Sequence, residues 1–110
     1  MRLPGGEQAE VDQKKLDAYL LSEAHPIGRW KALWFRSVGI RESVQLRDLL
    51  LRIAAEEQVV EHEESVYGTK YVVDGRFSTK AGREVVLRTV WIVGRESARP
   101  RLVTAYPGEE

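Results

Sequence analysis

Residues 85–94 read VVLRTVWIVG, from Val85 to Gly94. Their β-branched and aromatic content, alternating with period two, marks a strand. Val86, Val90 and Ile92 share one face of it with Arg88, while Leu87, Thr89, Trp91 and Val93 share the other. Similar runs lie on both sides. VVEHEESVYG and TKYVVDGRFS precede it and RLVTAYP follows, with breaks at Gly68, at KAGR and at RESARP. In the last run Leu102, Thr104 and Tyr106 form one set; in the second, Lys70 points opposite to Tyr71 and Val73. The links are short, so successive strands are expected to pair as antiparallel neighbours. Register is not fixed by sequence, and the set that meets the rest of the molecule stays open.

Before Gln58 the apolar period is helical. Leu46, Leu49, Leu50 and Ile53 fall at i, i+3, i+4 and i+7, with Ser43 as the expected N-cap. A helix from about Gly28 to Val38 is expected to turn Trp30, Leu33 and Trp34 inward and to end on Gly39. A shorter one starts at Asp12, carries Leu16, Tyr19 and Leu20, and stops at His25-Pro26, because the residue before proline leaves the helical region. Residues 1–11 read as a flexible leader with little to bury. The expected architecture is α+β: three N-terminal helices packed on a four-stranded antiparallel meander, one domain over residues 12–107.

A chain of 110 residues, 43% hydrophobic and 31% charged, suits one soluble globular domain. It has no cysteine, which removes thiol nucleophiles, disulfides and cysteine-based zinc sites, and fits a cytoplasmic location. No apolar run is long enough to span a membrane. The formal net charge is zero, but it is sorted: residues 25–53 carry six Lys/Arg against two acids, residues 54–64 five acids and no Lys/Arg, and residues 65–106 eight Lys/Arg against three acids. A local basic surface able to hold phosphate is therefore compatible with overall neutrality.

Neither GxGxxG nor GxxxxGK[ST] is present, so no nucleotide cofactor is expected. His62 lies among carboxylates in EEQVVEHEE, yet two histidines and no cysteine make a poor metal centre, and none is expected. His25 is the better candidate for chemistry, since imidazole can take a proton from one oxygen and return it to another. Lys31 follows six residues later on the first turns of a helix, where it either snorkels past the tryptophans to water or meets an anion. Thr89 and Thr104 can donate to a phosphoryl oxygen, and Trp91 or Tyr106 beside them can stack on a base. Lys70, Arg88 and Arg101 add positive charge from three strands.

Four pieces of the chain, HPIGRWKALWF (His25–Phe35), YGTKY (Tyr67–Tyr71), TVW (Thr89–Trp91) and LVTAYP (Leu102–Pro107), resemble the pattern HPxGxxKAxxF, YGxKY, TVW, LVTAYP of an uncharacterised family of small bacterial domains. That family also occurs at the C-termini of polymorphic toxins. Helices followed by an antiparallel sheet, in that context, are similar to the barnase/RelE-like ribonuclease toxins. The resemblance implies a metal-independent endoribonuclease-like toxin domain acting on RNA and restrained by a small cognate antitoxin or immunity protein. His25 would be acid or base, Lys31 a phosphate cation, Thr89 and Thr104 donors, and Tyr106 a stacking or proton-transfer group. Lys70, Arg88, Trp91 and Arg101 would bind substrate. The alternative is a non-enzymatic interaction module, an antitoxin, immunity or adaptor protein, for which the acidic run Glu56–Glu64 would mask a basic partner. A nucleic-acid binder without catalysis, resting on Trp91 and Tyr106 exposed side by side, ranks below both.

Overall fold

The computed structural model describes residues 1–17 and 26–108. Four strands, β1 (Val59–Ser65), β2 (Gly68–Ser78), β3 (Glu84–Gly94) and β4 (Arg101–Pro107), form one antiparallel sheet in the order β1-β2-β3-β4. The meander and the α+β class are as the alternation implied. Three N-terminal helices are not. The described residues form two helices, α1 (Pro26–Ser37) and α2 (Ser43–Glu56), and Gln13–Lys15 is a single helical turn. There Asp12 Oδ1 accepts the Lys14 N–H (2.9 Å) and Leu16 is buried. The expected continuation through Tyr19 and Leu20, and the stop at His25, lie outside the described residues.

The buried arc of α1 also differs from the expected one. Lys31, Ala32, Phe35 and Val38 are buried, whereas Trp30 is 58% and Leu33 53% exposed and Trp34 is half-buried. The buried set has i, i+1, i+4 and i+7 spacing, one face of a helix. Ala32 lies within this face and the larger side chains lie beside it. Gly39 closes α1 as expected: at φ +92° it lets Ile40 N–H reach the Phe35 carbonyl (2.8 Å) and its own N–H reach that of Arg36 (3.1 Å). At the start of α2 the cap is Glu42 rather than Ser43, which is the first helical residue; Gln45 Oε1 accepts from the backbone N–H of Arg41 (2.8 Å) and Glu42 (2.9 Å). Leu46, Leu50, Ile53 and Ala54 then form the buried face.

The sheet turns Val73, Val85, Leu87, Thr89, Trp91, Leu102 and Ala105 toward the helices. β4 does not alternate through its length. Leu102 pairs with Trp91 and Thr104 with Val90, leaving Val103 as an extra residue opposite that step. This β-bulge puts Leu102 on the helix side and Thr104 and Tyr106 on the opposite side, separating a set expected to stay together.

Residues 1–11, expected as a leader with little to bury, lie against the body. Leu3 and Val11 are buried, Arg2 bridges to Gln58, and Glu10 pairs in parallel with Arg101. The start of β1 and the start of β4 are thereby covered. Beyond them, from Val60 to Ser65, β1 is a sheet edge with no neighbouring strand among the described residues.

Gly75 in β2 lies under α2. A Cβ there would meet Ile53 Cγ1 and Cδ1 well inside van der Waals contact. Gly75→Ala is expected to cost about 1–3 kcal/mol by overpacking. In an Ile53→Ala background the same methyl should be nearly neutral. Equal costs in the two backgrounds, measured by urea denaturation, would show that close approach is not the reason for the glycine.

Candidate functional site

The face of the sheet turned away from the helix-packed core is built from cross-strand rows. Lys70, Ile92 and Arg101 form one, Val72, Val90 and Thr104 the next, and Asp74, Arg88 and Tyr106 the third. Thr104 is half-buried, and its Oγ1 accepts a hydrogen bond from Lys31 Nζ at 2.7 Å. Lys31 is only 7% exposed, so its ammonium is held by the packing of α1 rather than swinging in solvent. The Val103 bulge makes this possible, since it sets which way Thr104 points.

One row along, Arg88 grips Asp74 with both ends of its guanidinium, Nε to Oδ1 at 2.8 Å and Nη2 to Oδ2 at 2.9 Å. The hydrogen bonds to Asp74 raise the Arg88 pKa well above its ordinary value; partial burial opposes this, and the Asp74 charge and Tyr106 add to the rise. Arg88 is therefore a fixed cation at every working pH, partly neutralised by its carboxylate. Tyr106 lies opposite it in register and is 36% exposed. Lys70 and Arg101 are exposed on either side of Ile92.

Six of the nine expected site residues thus meet on or at one face: Lys31, Lys70, Arg88, Arg101, Thr104 and Tyr106. Two do not. Thr89 is fully buried on the helix side, where its Oγ1 donates to the Val73 carbonyl (2.6 Å) and accepts from Trp91 Nε1 (2.8 Å). Trp91 is 0% exposed. A hydroxyl engaged in both roles cannot serve a phosphate, and a fully buried indole cannot stack on a base; both are core. The ninth, His25, lies outside the described residues. His62 stacks on Tyr71 with ring centroids 6.0 Å apart, on the exposed β1. No group of three or more potential metal ligands gathers among the described residues.

Sequence reasoning missed Asp74, which orients Arg88. The signal was present only as a cross-strand pair that needs the register Asp74↔Arg88 to be seen.

Residues 2–109 match a known family throughout. The chain belongs to the family described as "Domain of unknown function (DUF6883)". No curated protein matches it in sequence. Among solved structures, this DUF6883 domain is similar to a chain of a "Contact-dependent growth inhibition toxin - immunity protein complex from Klebsiella pneumoniae 342", with 18% identity, a TM-score of 0.71, and coverage of 89% of this chain and 98% of that one. At that identity the likeness is one of fold.

Proposed function

We propose that this DUF6883 domain is a metal-independent endoribonuclease-like toxin domain of a bacterial toxin-antitoxin or polymorphic toxin system, working on the sheet face that carries Thr104 and Tyr106. The observation that carries the reading is the buried Lys31 ammonium seated on Thr104 Oγ1, on the strand that also presents Tyr106 opposite Arg88. A phosphodiester placed across those two adjacent rows would meet two cations, Lys31 and Arg88, the Thr104 hydroxyl and the Tyr106 phenol, the set needed to stabilise a crowded phosphorane. The similar chain in a toxin–immunity complex adds a precedent for this fold in such a system.

In the reaction a base removes the ribose 2′-OH proton and the 2′-oxygen attacks phosphorus. The bond from phosphorus to the 5′-oxygen breaks, an acid protonates that oxygen, and a 2′,3′-cyclic phosphate and a 5′-OH result. His25 is proposed as acid or base, Tyr106 as the second proton-transfer group or a stacking platform, and Lys31, with Lys70 and Arg101 outside it, as the cations on phosphate. The test is expression in a bacterial host without a partner gene. Growth arrest, RNA fragments ending in 2′,3′-cyclic phosphate, and relief by His25→Ala are expected. Unimpaired growth with abundant folded wild-type protein would overturn the reading.

A second reading, a non-enzymatic partner-binding module, draws on the open β1 edge. It exposes Glu61, Glu63 and Glu64 alongside Val60, and Val66 and Tyr67 at the hairpin tip. A basic partner strand could add to that edge. Co-purification with such a partner and no RNA cleavage at high protein concentration would favour it.

A further inference from the structure

At the start of β4, close to the Lys31–Thr104 pair, residues 9–12 run beside the strand and leave a cleft of about 700 Å³ between that segment, α2 and the sheet. Its floor is apolar, with Val11 and Leu102 buried and Leu51 and Ile92 half-buried. Arg47, Arg99 and Arg101 line it, together with the carboxylates of Glu10 and Asp12.

The carboxylates are committed elsewhere. Glu10 Oε1 pairs with Arg99 Nη1 at 2.7 Å, and Asp12 Oδ1 caps the helical turn at 2.9 Å from the Lys14 N–H. Arg47 is held differently. Its Nη2 donates to Gln13 Oε1 at 2.7 Å, a neutral acceptor, and Gln13 is fixed in turn because its Nε2 donates to Asp17 Oδ1 (3.0 Å) and Ser43 Oγ (2.9 Å). An amide thus positions the guanidinium while leaving its charge to act on the cleft. Arg101 is exposed and lies on the Thr104 side of β4, three positions before Thr104, which is about 10 Å along a strand at roughly 3.3 Å per residue.

We propose that this cleft is a phosphate subsite for an RNA strand that runs along β4 from the reactive face, with Arg47 and Arg101 on a flanking backbone phosphate and the adjoining base or ribose over Leu51, Ile92 and Leu102. The fork of arginine donors suits phosphate, and an apolar floor suits the face of a base. The proposal takes its ligand class from the ribonuclease reading.

The probe is a labelled 2′-O-methyl RNA 12-mer, which has no free 2′-OH and so reports binding without cleavage, read by fluorescence anisotropy over a salt series. Cleavage of an unmodified dinucleotide, too short to reach the cleft, is measured in parallel. The variants are Arg47→Gln, Arg101→Gln, at an exposed position that does not threaten folding, and the two combined, each checked by thermal melting. The double variant is expected to bind the 12-mer about tenfold or more weakly. Its log K against log salt slope should be shallower by about 1.4, two contacts at roughly 0.7 each for a single strand. Arg47→Gln alone, at a residue outside the reactive rows, should leave dinucleotide cleavage unchanged. Equal 12-mer affinity and slope, with dinucleotide cleavage intact, would overturn the subsite and leave the ribonuclease reading standing. Wild-type protein that neither binds the 12-mer nor cuts the dinucleotide would overturn both.

Discussion

Replacing Trp91 by alanine is expected to remove about 3–5 kcal/mol of stability. The indole is 0% exposed, packs in the cluster that also holds Phe35, Leu87 and Leu102, and gives its Nε1–H to Thr89 Oγ1 at 2.8 Å. Its removal leaves a cavity at the centre of the sheet and takes one of the two hydrogen bonds at a fully buried hydroxyl. Since domains of this size hold about 5–15 kcal/mol in total, the variant is expected to be partly unfolded at 37 °C. The paired control is Trp30→Ala, which removes a 58% exposed ring and should change stability by about 0.5 kcal/mol or less. Urea midpoints for the two variants, with unchanged m-values, measure the contrast. Similar midpoints would contradict the assignment of the two tryptophans to core and surface.

The second large effect is on activity. On the proposed ribonuclease reading, Lys31→Met, which keeps most of the stem length and deletes the ammonium, should lower cleavage about 100- to 1,000-fold, the scale for losing one preorganised donor to a developing oxyanion. Thr104→Val, which removes the oxygen that receives Lys31 Nζ, should lower the rate in the same direction while leaving the cation present. Lys31→Arg is expected to rescue only in part, because a planar guanidinium replaces a compact ammonium in a buried position. The rate is read per folded molecule, with thermal melting as the check. A purely structural Lys31 would shift the melting temperature and leave the rate per folded molecule unchanged, and that result would remove it from the mechanism.

The strands were legible in the sequence because alternation and turn residues mark them independently of anything distant. VVLRTVWIVG separated Arg88 from Thr89 and Trp91 before any register was known, and the structure keeps that separation. What was not legible depends on contacts between elements. The buried arc of α1 includes Lys31 and Ala32 and excludes Trp30 and Leu33, so side-chain size misjudged the direction of burial. RLVTAYP contains no glycine or internal proline to announce a bulge, yet Val103 is the extra residue, and it alone decides that Thr104 meets Lys31. Thr89 and Trp91 were chemically suitable but satisfy each other inside the core. The aspartate that holds Arg88 could be found only once β2 and β3 were aligned.

The uncovered edge of β1 also governs how copies of the chain treat one another. A bare strand edge templates pairing with an identical one and is a usual route to stacked β-assemblies. Two copies approaching edge to edge in antiparallel fashion would bring Glu61, Glu63 and Glu64 of one against the same residues of the other, and like charges set opposite each other oppose pairing. The glutamates are therefore placed to keep the exposed Val60 and the hairpin tip at Val66 and Tyr67 from seeding aggregation at high concentration. A strand closed to its own kind in this way stays open to one of opposite charge.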